Sequence, residues 1–146
     1  IPEQEFVEIG REFCRHCHDR DAGVLLNGDH RIATAIGADG LHLTSRILEQ
    51  QGVPQGYQGL VAASCHSIEQ LQRAQSSGAD FAMLSPVLPT RSHPDADPLG
   101  WATFAAWVDQ VSIPVYALGG MQSAHKDTAW QAGAQGVAGI RGLWSA

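Results

Sequence analysis

One phrase occurs three times: a Gly-Ala pair, a polar residue, then a short apolar run. It reads Gly37-Ala38-Asp39-Gly40-Leu41-His42-Leu43, Gly78-Ala79-Asp80-Phe81-Ala82-Met83-Leu84 and Gly133-Ala134-Gln135-Gly136-Val137-Ala138-Gly139-Ile140. Glycine in the left-handed conformation closes a helix, and a run this brief is too short for a helix but suits a strand buried on both faces. Each phrase therefore predicts a helix end followed by a parallel strand. The intervals leave room for about one helix and one more strand.

Filling those intervals predicts strands over 23–26, 40–43, 59–63, 80–84, 115–118 and 136–140. Helices are predicted over 3–18, 32–36, 45–51, 67–77, 101–111 and 123–132, with Ser67 and Ser123 as N-caps. Alternating strands and helices define an α/β protein, either an open doubly wound sheet or a β/α barrel. The 146 residues make one domain. A complete eight-fold barrel takes roughly 250 residues, with compact examples near 200. Six units that begin on a helix therefore match a barrel short of its first strands.

Composition narrows the partners. A net charge of -6 and a pI near 5.5 argue against a general nucleic-acid or anionic-membrane surface, so an anion site has to be local. No apolar run has membrane-spanning length, the start of the chain lacks a signal-peptide layout, and three cysteines make no disulfide framework, which together predict a cytoplasmic location. Oligomeric state has no signature.

The loop after the fourth predicted strand is the richest in chemistry. Thr90 and Ser92 alternate with Arg91 and His93, offering several donors in one small volume to a phosphate or diphosphate. Gly119-Gly120 after the next strand permits close backbone approach to an anion, and Ile140 and Arg141 end the strand after that. Barrels recurrently bind phosphate with their last two strand-end loops. Asn27, Ser64 and His66 stand at other strand ends, where ligand contact competes with capping, and His42 reads as a satisfied strand histidine. Cys14-Arg15-His16-Cys17-His18 fits a short haem or zinc pattern but sits at a helix end, where histidines suit the dipole. Trp101, Trp107, Trp130 and Trp144 are expected to pack helices onto the sheet.

The ordered motifs Leu25-Leu26-Asn27, Gly40-Leu41-His42-Leu43, Ser64-Cys65-His66-Ser67, Ser85-Pro86-Val87-Leu88-Pro89-Thr90, Ala117-Leu118-Gly119-Gly120-Met121 and Gly136-Val137-Ala138-Gly139-Ile140 resemble the thiamine phosphate synthase and thiazole tautomerase superfamily. Ser-Cys-His-Ser, Leu-Ser-Pro-Val-Leu-Pro-Thr and Ala-Leu-Gly-Gly are most similar to the version of the domain fused behind a Nudix hydrolase in some bacterial proteins. The resemblance implies a (β/α)8 TIM-barrel fold, here with about six parallel strands, and an upstream Nudix domain in the same polypeptide. It also implies binding of a phosphorylated thiazole or pyrimidine, joined to thiamine phosphate with release of diphosphate.

The resemblance and the strand-end positions together make Asn27, Ser64, Thr90, Arg91, Ser92, His93, Gly119, Gly120, Ile140 and Arg141 the substrate-binding candidates, and His66 and His93, in loops that share the mouth, the catalytic candidates. Three departures stand out. The family's two aspartates for Mg²⁺ read Gly28 and Ile47 here, leaving Asp29, one residue late, as the candidate metal ligand; Asp95 and Asp97 are solvated loop charges with a lesser claim. The family's Thr-x-Thr-Lys reads Thr90-Arg91-Ser92-His93, exchanging a permanent cation for an imidazole. Pro86 stands where the tautomerase branch has a histidine, and proline transfers no proton. These departures keep two alternatives open: a noncatalytic phosphate-ligand sensor or scaffold, and a divergent tautomerase.

Overall fold

A computed structural model describes residues 1–143; Trp144 lies outside the described residues. The chain opens with helix α1 (Glu3–His18), whose bounds match the sequence expectation. Glu3 and Glu5 occupy its first turn and Arg15, His16 and His18 its last, the arrangement that the helix dipole favours. Six strands and five further helices follow in alternation: β1 (Leu25–Leu26), α2 (His30–Ile36), β2 (Gly40–Leu43), α3 (Ser45–Gln50), β3 (Leu60–Cys65), α4 (Ile68–Ser77), β4 (Phe81–Leu84), α5 (Gly100–Val108), β5 (Val115–Ala117), α6 (Lys126–Gln131) and β6 (Gly136–Val137).

The strands form one parallel sheet in the order β1-β2-β3-β4-β5-β6. Sequential order in a parallel sheet is barrel-type winding, and it puts every strand's C-terminal end, with the loop that follows, at the same end of the molecule. The sheet has two chemically different faces because side chains alternate along a strand. Leu41, Leu43, Val61, Ala63, Cys65, Ala82, Leu84, Val115 and Ala117 are buried in the core with Leu48, Leu71 and Phe104 from the helices. The alternate positions His42, Ser64, Phe81, Met83 and Tyr116 are half-buried, and the Phe81 and Tyr116 rings meet edge to face at 5.5 Å.

Local chemistry sets the element ends. Ser67 caps α4 by accepting from the Gln70 amide at 3.2 Å, as its position predicted, and Gly37 and Gly78 close α2 and α4 with positive φ. Elsewhere the bounds shift. Asp29, not a later residue, caps α2 and starts it at His30, while Thr44 caps α3. Ser123 begins a short 3-10 turn and is not the cap: that position belongs to Gln122, whose amide donates to Nδ1 of His125. Strand β3 runs on to Cys65, so Ser64 lies within it, whereas β6 ends at Val137, Ala138 still donates to the Ala117 carbonyl (2.8 Å), and Gly139 and Ile140 line the mouth.

The tryptophans divide. Trp101 and Trp107 pack against the core as expected, with Trp101 edge-on to Phe104. Trp130 does not: it is 57% exposed, and its Nε1 donates to the Gln135 carbonyl. On a helix this short, Ala129 is the residue turned inward.

Candidate functional site

Three strand-end loops close around one pocket of about 460 Å³, within the usual size range of small-molecule sites. Eight of the residues that the sequence pointed to line it: Thr90, Arg91, Ser92 and His93 after β4, Gly119 and Gly120 after β5, and Ile140 and Arg141 after β6. Its lining carries two guanidinium groups, from Arg91 and Arg141, beside the His93 imidazole, with no Asp or Glu among the lining residues, on a chain whose net charge is -6.

Backbone hydrogen bonds hold the loops against each other. Leu118 N–H donates to the Leu84 carbonyl (3.0 Å), Val87 N–H to Leu118 (2.9 Å) and Leu88 N–H to Gly119 (3.1 Å), continuing the β4–β5 pairing past the strand ends. Gly119 (φ +97°) and Gly120 (φ +67°) turn the chain under that strap. Among the described residues their amides have no hydrogen-bond partner within the protein, which leaves two unpaired donors in residues that line the pocket. Unpartnered amides, guanidinium groups and hydroxyls together make an anion-recognition set.

Asn27, Ser64, His66 and Asp29 lie outside that lining. Asn27 is exposed just beyond β1, and the capping role that competed for it belongs to Asp29. Ser64 Oγ is 2.7 Å from His42 Nε2, and burial pushes the His42 imidazole below its ordinary pKa. His66 reaches the neighbouring loop, its Nδ1 3.0 Å from the Ser85 carbonyl. Sequence reasoning missed Ser85, Met121 and Gln122, all of which line the pocket. Ser85 had a signal in the Ser85-Pro86 phrase, while Gln122 had none beyond following the glycine pair.

The donor set does not fit Mg²⁺ by the route the family uses. Asp29 accepts from the Arg31 amide (2.8 Å), Nε and Nη2 (2.7 Å), and these bonds hold its carboxyl well below the usual carboxylate range. Its charge is spent on capping α2 and pairing Arg31. No group of three or more His, Cys, Asp or Glu side chains among the described residues is arranged to hold a metal ion. The Cys14–His18 segment diverges likewise: Cys14 is buried, His16 faces Glu12, and His18 bonds Asp39 at 2.9 Å.

The family model for thiamine monophosphate synthase matches residues 1–143. The chain belongs to that family. It is 36% identical over 141 residues to a protein of Aquifex aeolicus provisionally named thiamine-phosphate synthase 2, covering 96% of this chain and 76% of that protein. It is 31% identical over 144 residues to the thiamine-phosphate synthase of Lysinibacillus sphaericus, covering 96% of this chain and 66% of the relative. Among solved structures it superposes on the thiamine phosphate pyrophosphorylase of Pyrococcus furiosus with a TM-score of 0.77 at 26% identity, covering 96% of this chain and 67% of the other. The chain thus spans two thirds to three quarters of the length of these synthase-family proteins. Its six-stranded α/β architecture is that of the synthase's TIM-barrel-like fold.

Proposed function

We propose that the pocket binds the phosphate of a phosphorylated thiazole, or the diphosphate of a pyrimidine, and that the chain serves the transferase reaction of its family. In that reaction the pyrimidine methylene loses diphosphate and is captured by the thiazole nitrogen, giving thiamine phosphate. The carrying observation is the convergence of Thr90–His93, Gly119–Gly120 and Ile140–Arg141 on one pocket with no Asp or Glu among its described lining residues. The hydroxyls and free amides orient the anion, Arg91 and Arg141 supply fixed charge, and His93 adds charge only when protonated. Anion binding on this reading needs no divalent cation, because the acids of the family's metal route are Gly28 and Ile47 here and Asp29 is engaged by Arg31.

The direct test is formation of thiamine phosphate from the two substrates, with and without Mg²⁺, beside calorimetry with inorganic diphosphate. Arg91→Ala and Arg141→Ala are each expected to weaken diphosphate binding about tenfold or more, the loss typical of a charged hydrogen bond. Wild-type affinity in both variants would overturn the pocket assignment.

The use of Asp29 as the α2 cap also favours a second reading, a noncatalytic sensor or scaffold that binds the phosphorylated ligand without turning it over. Binding without thiamine phosphate formation would select it. The motif wording of Ser64–Ser67 and of the loops after β4 and β5 supports a place behind a Nudix hydrolase domain in one cytoplasmic polypeptide, which the gene sequence upstream of Ile1 tests. No helix among the described residues is long and apolar enough to cross a membrane.

A further inference from the structure

A chain of side-chain hydrogen bonds crosses from the helix layer to the wall of the pocket. Gln70 on α4 donates through Nε2 to Glu49 Oε1 on α3 (2.6 Å), and its Oε1 accepts the backbone N–H of His66 (2.7 Å). The His66 ring then reaches from the end of β3 to the end of β4, with Nδ1 3.0 Å from the Ser85 carbonyl oxygen and 3.3 Å from Ser85 Oγ. A carbonyl oxygen only accepts, so Nδ1 carries the proton in this bond; the neutral Nδ1–H tautomer and the imidazolium both satisfy it.

Ser85 is where this reaches the site. It lines the pocket and is 7% exposed. Its N–H donates to the Cys65 carbonyl (3.1 Å), and His66 Nδ1 is the partner of its own carbonyl among the described residues. A buried carbonyl that loses its donor is left unpaired at a cost in free energy, which favours a different course for the loop that starts there. That loop carries Thr90 to His93.

We propose that His66 is a positioning residue for the anion pocket: its Nδ1–H holds the Ser85 carbonyl, and through it the loop after β4, in the binding arrangement. His66 acts through Ser85 without touching the ligand. The inference rests on the proposed anion site and gives a chemically specific expectation. An asparagine side-chain amide reproduces the Nδ1 donor position, whereas glutamine reproduces Nε2 and cannot make this bond in place.

The test compares His66→Asn and His66→Gln in the full chain, with inorganic diphosphate as the probe. His66→Asn is expected to stay within about threefold of wild-type Kd and His66→Gln to weaken binding about tenfold. A purely structural role would lower Tm in both variants without separating their affinities, and equal Kd values for the two would overturn the proposal. Amide hydrogen exchange over residues 87–93 gives a readout independent of ligand. His66→Gln is expected to exchange faster there and His66→Asn like wild type; indistinguishable exchange also overturns the proposal. Failure of the wild-type chain to bind either diphosphate or phosphate would instead remove the pocket reading, and the exchange comparison would still decide what His66 does.

Discussion

Asp39 and Asp80 occupy equivalent places in the repeated phrase and perform the same task. Asp39 Oδ2 accepts the Val24 amide at 2.7 Å while its own N–H donates to the Val24 carbonyl at 2.8 Å; Asp80 does the same to Val61 with the same two distances. Each aspartate clamps the entry of the preceding strand. The bond from Val24, aided by His18, holds the Asp39 carboxyl below its ordinary pKa. In the third phrase Gln135 keeps only the backbone half, donating to the Val115 carbonyl. Val61 is buried, so Asp80→Ala strands its amide and is expected to cost about 1–3 kcal/mol in urea unfolding. A change under about 0.5 kcal/mol, typical of a plain surface substitution, would rule the clamp out. The phrase was visible as a repeat, but its aspartate had no evident role until the partner strand was in place.

At the scale of elements, the strap between the loops after β4 and β5 is what gives the pocket its shape. A Cβ at Gly119 would lie 2.7 Å from Pro86 Cα, and one at Gly120 would lie 2.6 Å from the Pro89 carbonyl oxygen, so backbone would have to move in either case. Both residues also have positive φ, where a side chain adds strain. Gly120→Ala is therefore expected to destabilise the protein by about 1–3 kcal/mol and to weaken diphosphate binding by displacing the Thr90 loop, with little change in far-UV circular dichroism. Thermal unfolding and calorimetry check the two halves. Wild-type affinity in this variant would mean that the strap does not shape the site.

For the molecule as a whole, the sequential parallel sheet places β3 and β4 at its centre and β1 and β6 at its edges. The central strands contribute Val61, Ala63, Cys65, Ala82 and Leu84 to the core, all fully or almost fully buried, and burial pushes the Cys65 thiol up to about 12. Opening these strands requires breaking the core, whereas the two-residue edge strands lose little by fraying. Native-state hydrogen exchange is accordingly expected to be slowest at residues 61–65 and 82–84 and faster at 25–26 and 136–137. The reverse order would contradict this distribution of stability. The mouth therefore has one wall on the rigid centre, the loop after β4, and another on the edge, the loop after β6.

Much of the fold followed from the sequence because its signals are local. Glycines that close helices, a serine that caps one, and apolar runs too short for helices set the kind and order of the elements. Parallel alternation then required all strand-end loops to share one end, which is why the sequence alone groups Thr90–His93, Gly119–Gly120 and Ile140–Arg141. Tertiary structure decided which side chains spend their polar atoms elsewhere. Asp29 went to Arg31, Ser64 to His42 and His66 to Ser85, while Ser85 itself became part of the wall. The last two pairs, His42–Ser64 within neighbouring strands and His66–Ser85 just past neighbouring strand ends, join residues 22 and 19 positions apart, and whether such groups meet depends on the strand register.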